Sequence, residues 1–126
     1  MIQEAARNAV GGDATPLDEL RAFGRAHVEH AVGRPSGQLI IGNLDYFASH
    51  DATAELMHAH EEVARDIMRR AVVAGQLREV HAVVAGATFF GALNTLSRTF
   101  DPDGDATLQE LIDGTLDLLI GGWAPR

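Results

Sequence analysis

The chain has 126 residues, 46% of them hydrophobic and 22% charged, which suits one globular domain with a core of its own and is too little for two. It contains no cysteine and no lysine, which excludes disulfides, thiolate metal sites, thiol nucleophiles and Schiff-base chemistry. Ten positive side chains, all arginine, stand against 18 acidic ones, and a formal charge of −8 opposes direct binding to a nucleic-acid backbone.

Taken in chain order, the hydrophobic periodicity predicts six helical segments and no strand, an all-α fold in a single domain over residues 1–126. The first, Ile2 to Val10, has an apolar face of Ile2, Ala5, Ala6 and Ala9. It starts without a capping residue, so it needs packing against something else. The second opens on Thr15-Pro16-Leu17-Asp18, with a threonine cap, proline at the first helical position and a carboxylate at the positive end of the helix. It places Leu20, Phe23, His27 and Ala31 on one face and stops at Gly33 and Pro35. The third, Gly37 to Ala48, puts Ile40, Asn43, Leu44 and Phe47 on one side, although Leu39-Ile40-Ile41 also fits a buried strand. The fourth, Ala52 to Ala74, turns Leu56, His60, Val63, Ile67 and Ala71 inward and charged residues outward, and Gly75 caps its end.

The fifth segment, Glu79 to Phe100, is hydrophobic on nearly every side and so must be covered on every side. Its apolar stretch is too short for a membrane span, and its small residues, Gly86 and Gly91 among them, suit close approach of another helix. An Asp101-Pro102-Asp103-Gly104 turn folds it back on the sixth, which begins at a Thr107-x-x-Glu110 capping box and is expected to close at Gly121-Gly122. Few other elements are available as cover in so short a chain, so a second copy is expected to supply it. The expected pairing face comprises Val83, Gly86, Ala87, Phe90, Gly91 and Asn94 on the fifth segment, with Leu111, Thr115 and Leu118 on the sixth, the pocket's edge being the alternative place for Asn94.

The stretch from Gly75 to Gly104 resembles the C-terminal half of TetR-family transcriptional regulators, whose last two helices often read Gly-x-Leu-Arg, then Gly-Ala-Leu-Asn, then an aromatic residue and Asp-Pro-x-Gly. Here these are Gly75, Leu77 and Arg78, then Gly91 to Asn94, then Phe100, Asp101, Pro102 and Gly104. The segment from Pro16 to Arg34 also looks like the start of that domain. The resemblance implies a TetR C-terminal-like bundle whose last two helices pair with their twins in a homodimer, while the remaining helices hold a small effector. No helix-turn-helix precedes Ile2 in this sequence, so DNA is an expected partner only through a part not present in these residues. A fragment, a late start codon and a standalone protein all remain compatible with that.

Among candidate site residues, His27 and His60 sit between apolar neighbours, where an imidazole either finds a hydrogen-bond partner in the core or contacts a ligand. In the ligand reading, Phe23, Ile40, Phe47, Ile67 and Phe89 line a pocket in which His27, Asn43, His60 and Thr88 orient a mostly apolar effector. His27 and His30 share a helix face, but His58 and His60 diverge, and the His60-Glu61 start of an H-E-x-x-H string has Ala64 in the fifth position. No metal or cofactor is therefore expected. No nucleophile and base can be assembled, so the chain is not expected to be an enzyme and no catalytic residue is assigned. The start, MIQEAARNAV, has no signal-peptide pattern, and a cytoplasmic protein without membrane contact is expected. The expected function is thus the effector-sensing and dimerisation domain of a TetR-like regulator. The alternative is a helical protein–protein interaction module with no small ligand, which a filled core would favour.

Overall fold

A computed structural model describes residues 13–126, so the expected first segment, Ile2 to Val10, lies outside the described residues. Six helices form among those residues: α1 (Pro16–Gly33), α2 (Pro35–Gly42), α3 (Leu44–Ala48), α4 (Asp51–Val73), α5 (Ala82–Thr99) and α6 (Leu108–Trp123). No helix there is long and apolar enough to cross a membrane. Helix α1 is central, packing against α2, α4, α5 and α6, while α5 and α6 lie together as a hairpin and α3 rests on α4.

The local signals explain where these helices start. Thr15 accepts from the Asp18 backbone N–H at 3.2 Å, and the Asp18 carboxylate accepts from the Thr15 N–H at 3.1 Å, a reciprocal cap that satisfies two otherwise orphaned donors. Thr107 caps α6 by accepting from the Glu110 N–H at 3.1 Å. His81 caps α5 through its ring Nδ1, which accepts from the Val83 N–H at 3.1 Å, so that helix begins at Ala82 rather than Glu79. In the intervening turn the Asp101 carboxylate accepts from the Asp103 N–H and its carbonyl from the Gly104 N–H.

Two glycines are required by geometry. Gly75 ends α4 with φ of +77°, a left-handed cap that other residues adopt at a cost. Gly37 sits at the α1–α2 corner, where a Cβ would lie 2.4 Å from the His30 carbonyl oxygen and 2.8 Å from the Ala31 Cα. Both obstacles are backbone, so no rotamer change relieves them.

The core is built from Leu20, Phe23 and Val28 of α1, Ala64, Ile67, Met68 and Ala71 of α4, Phe89 and Leu93 of α5, Ile112 and Leu116 of α6, and Leu77 from the α4–α5 connection. Fully burying each large aliphatic or aromatic side chain contributes roughly 1.5–3 kcal/mol. Polar pairs frame this core. Arg21 meets Asp117 at 2.9 Å and Arg25 meets Asp113, tying α1 to α6, while Arg70 joins Glu19 at 2.5 Å across α4 and α1.

Three further boundaries and faces differ from the sequence reading. The third segment is two helices, broken at Asn43, whose backbone (φ −136°, ψ 38°) leaves the helical region while its amide donates to the Leu39 carbonyl at 2.9 Å. Helix α6 continues through Gly121 and Gly122 to Trp123, because its last turn is held from outside. The Trp123 indole N–H donates to the Arg78 carbonyl at 2.8 Å, and the Arg78 guanidinium donates to the Gly122 carbonyl at 2.6 Å. Leu56, expected inside, is 68% exposed, because the first turns of α4 run past the packed core and face open space under α2 and α3.

Candidate functional site

That open space is a cavity of about 300 Å³ between α1, α2, α3, α4 and α5. Its walls are mostly apolar: Ala31 from α1, Ile40 and Ile41 from α2, Leu44 from α3, Leu56, Met57 and Ala59 from α4, and Phe90 from α5. Polar groups enter from three sides, as His27 and His30 on α1, His60 and Glu61 on α4, and Asn94 on α5. A concave apolar site with a few convergent polar groups is the usual form of a small-molecule pocket, and this volume stands at the lower end of the ~300–1,000 Å³ range.

Three of those polar groups form one chain. The His27 ring joins the Asn94 side chain at 2.6 Å through Nε2 and the His60 Nε2 at 2.8 Å through Nδ1. With Asn94 Oδ1 facing the ring, His27 Nε2–H donates to it. His27 Nδ1 then accepts from His60 Nε2–H, and both imidazoles are neutral. Aromatic packing fixes the rings: His60 stacks on Phe23 with centroids 4.7 Å apart, and Phe90 meets His27 edge-on at 5.4 Å. Burial, which disfavours the charged imidazolium, pushes His60 down to about 4, with His27 and His30 adding to the effect, and it lowers His27 as well. Glu61 is held by Arg65 at 3.5 Å, and the same guanidinium reaches Glu62 at 2.8 Å, so Arg65 is already engaged with acids on its own helix.

Of the residues expected to contact a ligand, the structure brings His27, Ile40 and His60 to the cavity wall. Phe23, Ile67 and Phe89 lie instead in the core, Phe23 directly behind the His60 ring. Asn43 is taken up by its cap, Phe47 meets Tyr46 edge-on, and Thr88 is exposed on the outer side of α5. Conversely, Phe90, expected on a pairing face, and Asn94, expected either on that face or at the pocket's edge, line the cavity. Gly86 is covered by the Arg65 guanidinium, 3.8 Å from where its Cβ would stand. The sequence reading did not assign His30, Ile41, Leu44, Met57 or Glu61 to the site. The three-residue spacing of His27 and His30 was the available signal for the first of them.

The outer surface of the hairpin has a different character. Val83 is 67% and Leu118 78% exposed, and Val84, Ala87, Gly91, Gly114, Gly121 and Gly122 are exposed beside them, with Leu111 and Thr115 half-buried. Val84, Thr88 and Leu118 also line a shallow groove of about 240 Å³ that ends at Trp123. Large aliphatic side chains interspersed with glycine and alanine make this face both apolar and smooth.

The sequence matches the tetracyclin repressor-like C-terminal domain family over residues 13–123. No curated protein sequence matches the chain. Among solved structures, the fold is similar to the ketosteroid transcriptional regulator KstR2 of Mycobacterium tuberculosis, with a TM-score of 0.83, 18% identity, and coverage of 99% of this chain and 66% of that one. It is also similar to the TetR family transcriptional regulator PfmR of Thermus thermophilus, with a TM-score of 0.75, 30% identity, and coverage of 95% and 67%. A third is AibR, solved in complex with isovaleryl coenzyme A and operator DNA, with a TM-score of 0.68, 24% identity, and coverage of 94% and 66%. The chain thus spans about two thirds of the length of each.

Proposed function

Because this chain belongs to the tetracyclin repressor-like C-terminal domain family, we propose that it is the effector-sensing and dimerisation domain of a TetR-like transcriptional regulator. The observation that carries this reading is the cavity: an unfilled apolar space with one hydrogen-bonded polar chain in its wall, beside the packed core. A module built only to bind other proteins has no need to leave such a space, and the cavity therefore favours the sensor over the interaction module.

The hairpin face supplies the second half of the proposal. A smooth apolar surface facing water is costly at ~25 cal/mol per Å², and a two-fold copy of the same face covers it with self-complementary contacts. Effector binding and pairing are then linked through shared elements, since α5 lines the cavity with Phe90 and Asn94 on one side and presents Val84 and Gly91 on the other. A ligand that prefers one arrangement of α1 against α5 shifts the population between two dimer geometries. In this reading operator contact belongs to a helix-turn-helix outside the described residues. A cytoplasmic setting fits that role.

The test is a thermal-shift screen of small, largely apolar compounds on the wild-type chain and on Ile40→Trp, which fills the cavity from α2. Hits that stabilise the wild type and lose their effect in Ile40→Trp support the sensor reading. Stabilisation that survives the filled cavity, or no hit from a broad library, contradicts it.

A further inference from the structure

The polar chain in the cavity wall has two free ends. His27 uses both ring nitrogens, one toward Asn94 and one toward His60, so His60 Nδ1 and the second amide atom of Asn94 are left over. Neither has a partner among the described residues, and no side-chain nitrogen or oxygen among them is both buried and unpartnered. Both ends therefore keep accessible surface, on residues that line the cavity. With Asn94 Oδ1 on His27, the His60 end is an acceptor and the Asn94 end a donor. If the amide is turned over, every bond in the chain reverses and the two ends exchange roles. In either case a neutral chain shows the cavity one acceptor and one donor.

A hydroxyl can satisfy either end, because it both donates and accepts. A carboxylate or phosphate accepts only, and it needs compensating positive charge. Among the described residues that line the cavity there is no arginine, the one acidic side chain is Glu61, and its partner Arg65 is shared with Glu62. Protonating the free Nδ1 of His60 to receive an anion would keep its bond to His27 but place a cation among apolar walls, a charge that burial disfavours.

We infer that the cavity takes an uncharged ligand, an apolar body bearing a hydroxyl, and that the hydroxyl bonds to an open end of the His60–His27–Asn94 chain. This deepens the effector reading and rests on it: it specifies which chemical class the same cavity selects. The apolar body lies against Ile40, Leu44, Leu56 and Phe90, and the cavity volume limits it to a small molecule.

The experiment is isothermal titration of the wild-type chain near neutral pH with three probes that share one tail: octan-1-ol, octanoate and octanoyl coenzyme A. Octan-1-ol is expected to bind more tightly than either anion by on the order of tenfold, with its heat lost in Ile40→Trp. In His60→Phe, which keeps a ring stacked on Phe23 but removes the polar end, the preference for the alcohol should shrink by several-fold. His60→Gln, which restores a donor and an acceptor, should recover part of it. Circular dichroism on each variant checks that it folds, and the Gln variant keeps the test decisive if the Phe variant does not. Tighter binding of octanoate or octanoyl coenzyme A, abolished by Ile40→Trp, would overturn the inference while leaving the effector cavity intact. Binding of none of the three would overturn the inference, and the library screen then decides the cavity reading separately.

Discussion

His60 couples one side chain to the stability of the whole molecule. Its folded-state pKa is pushed from 6.5 to about 4, with burial as the main cause, so between those values the unfolded chain binds a proton that the folded chain does not. Stability must therefore rise with pH through that window and fall on acidification, by about 2 kcal/mol between pH 7 and pH 5 from this residue. The charged and titratable groups facing it are His27 and His30 from α1 and Glu61 with its partner Arg65 from its own helix, while α2, α3 and α5 present Ile40, Leu44, Phe90 and the neutral Asn94. Urea denaturation at pH 7 and pH 5 should show this loss in the wild type and a smaller one in His60→Phe. Equal losses in both would assign the pH dependence to other groups. Part of this site was legible in the sequence and part was not. His27 and His60 stood out as imidazoles at apolar positions, and Ile40 lay on the right face. Asn94 was left between the pairing face and the pocket's edge because facing on an all-apolar helix is ambiguous: with hydrophobic residues on every side, periodicity cannot say which stripe turns toward the neighbouring helices. Phe90 and Gly86 were assigned to the outer face for the same reason.

At the scale of elements, the ends of helices separate what local chemistry decides from what packing decides. The Thr15, Thr107 and Gly75 signals operate within a few residues, and each stands where the sequence puts it. The end of α6 does not follow its local signal, because Gly121-Gly122 would ordinarily stop a helix and here does not. A residue 45 positions away explains it: Arg78 and Trp123 exchange two bonds, indole N–H to carbonyl and backbone N–H to carbonyl, and the Arg78 guanidinium donates to the Gly122 and Ala124 carbonyls on either side. The Gly75–Arg78 connection thus clamps the last turn of the hairpin. Trp123→Phe removes only the indole donor and should cost about 1 kcal/mol, or a fall of about 3–4 °C in Tm followed by circular dichroism. Arg78→Ala removes the guanidinium contacts to Gly122 and Ala124 and should fray the last turn further. Unchanged melting in both variants would mean that α6 holds its end without the clamp. The break at Asn43 is the opposite case, a helix that the apolar pattern runs straight through but that α2 and α3 must interrupt to reach around the cavity.

For the whole molecule, two apolar surfaces on different faces of α5 define the proposed role. One is concave, carries the histidine chain and faces α1 and α4. The other is smooth, rich in glycine and alanine, and faces away from the protomer. The all-helical architecture and the antiparallel hairpin were readable from periodicity and turn chemistry. The cavity was not, because an empty space has no sequence signature of its own and depends on how far α2 and α3 stand from α4. Pairing through the hairpin is the central claim, since without it a signal at the cavity has no second subunit to move. The direct measurement is the molar mass in solution, by size exclusion with light scattering at micromolar concentration, on the wild-type chain and on Leu118→Glu. Leu118 is 78% exposed, so its replacement disturbs no internal packing and places a charge at the centre of the proposed contact. The wild type should have twice the 13.5 kDa mass of one chain, and Leu118→Glu should return a folded monomer. A wild-type mass of 13.5 kDa, or a dimer untouched by Leu118→Glu, would contradict the account.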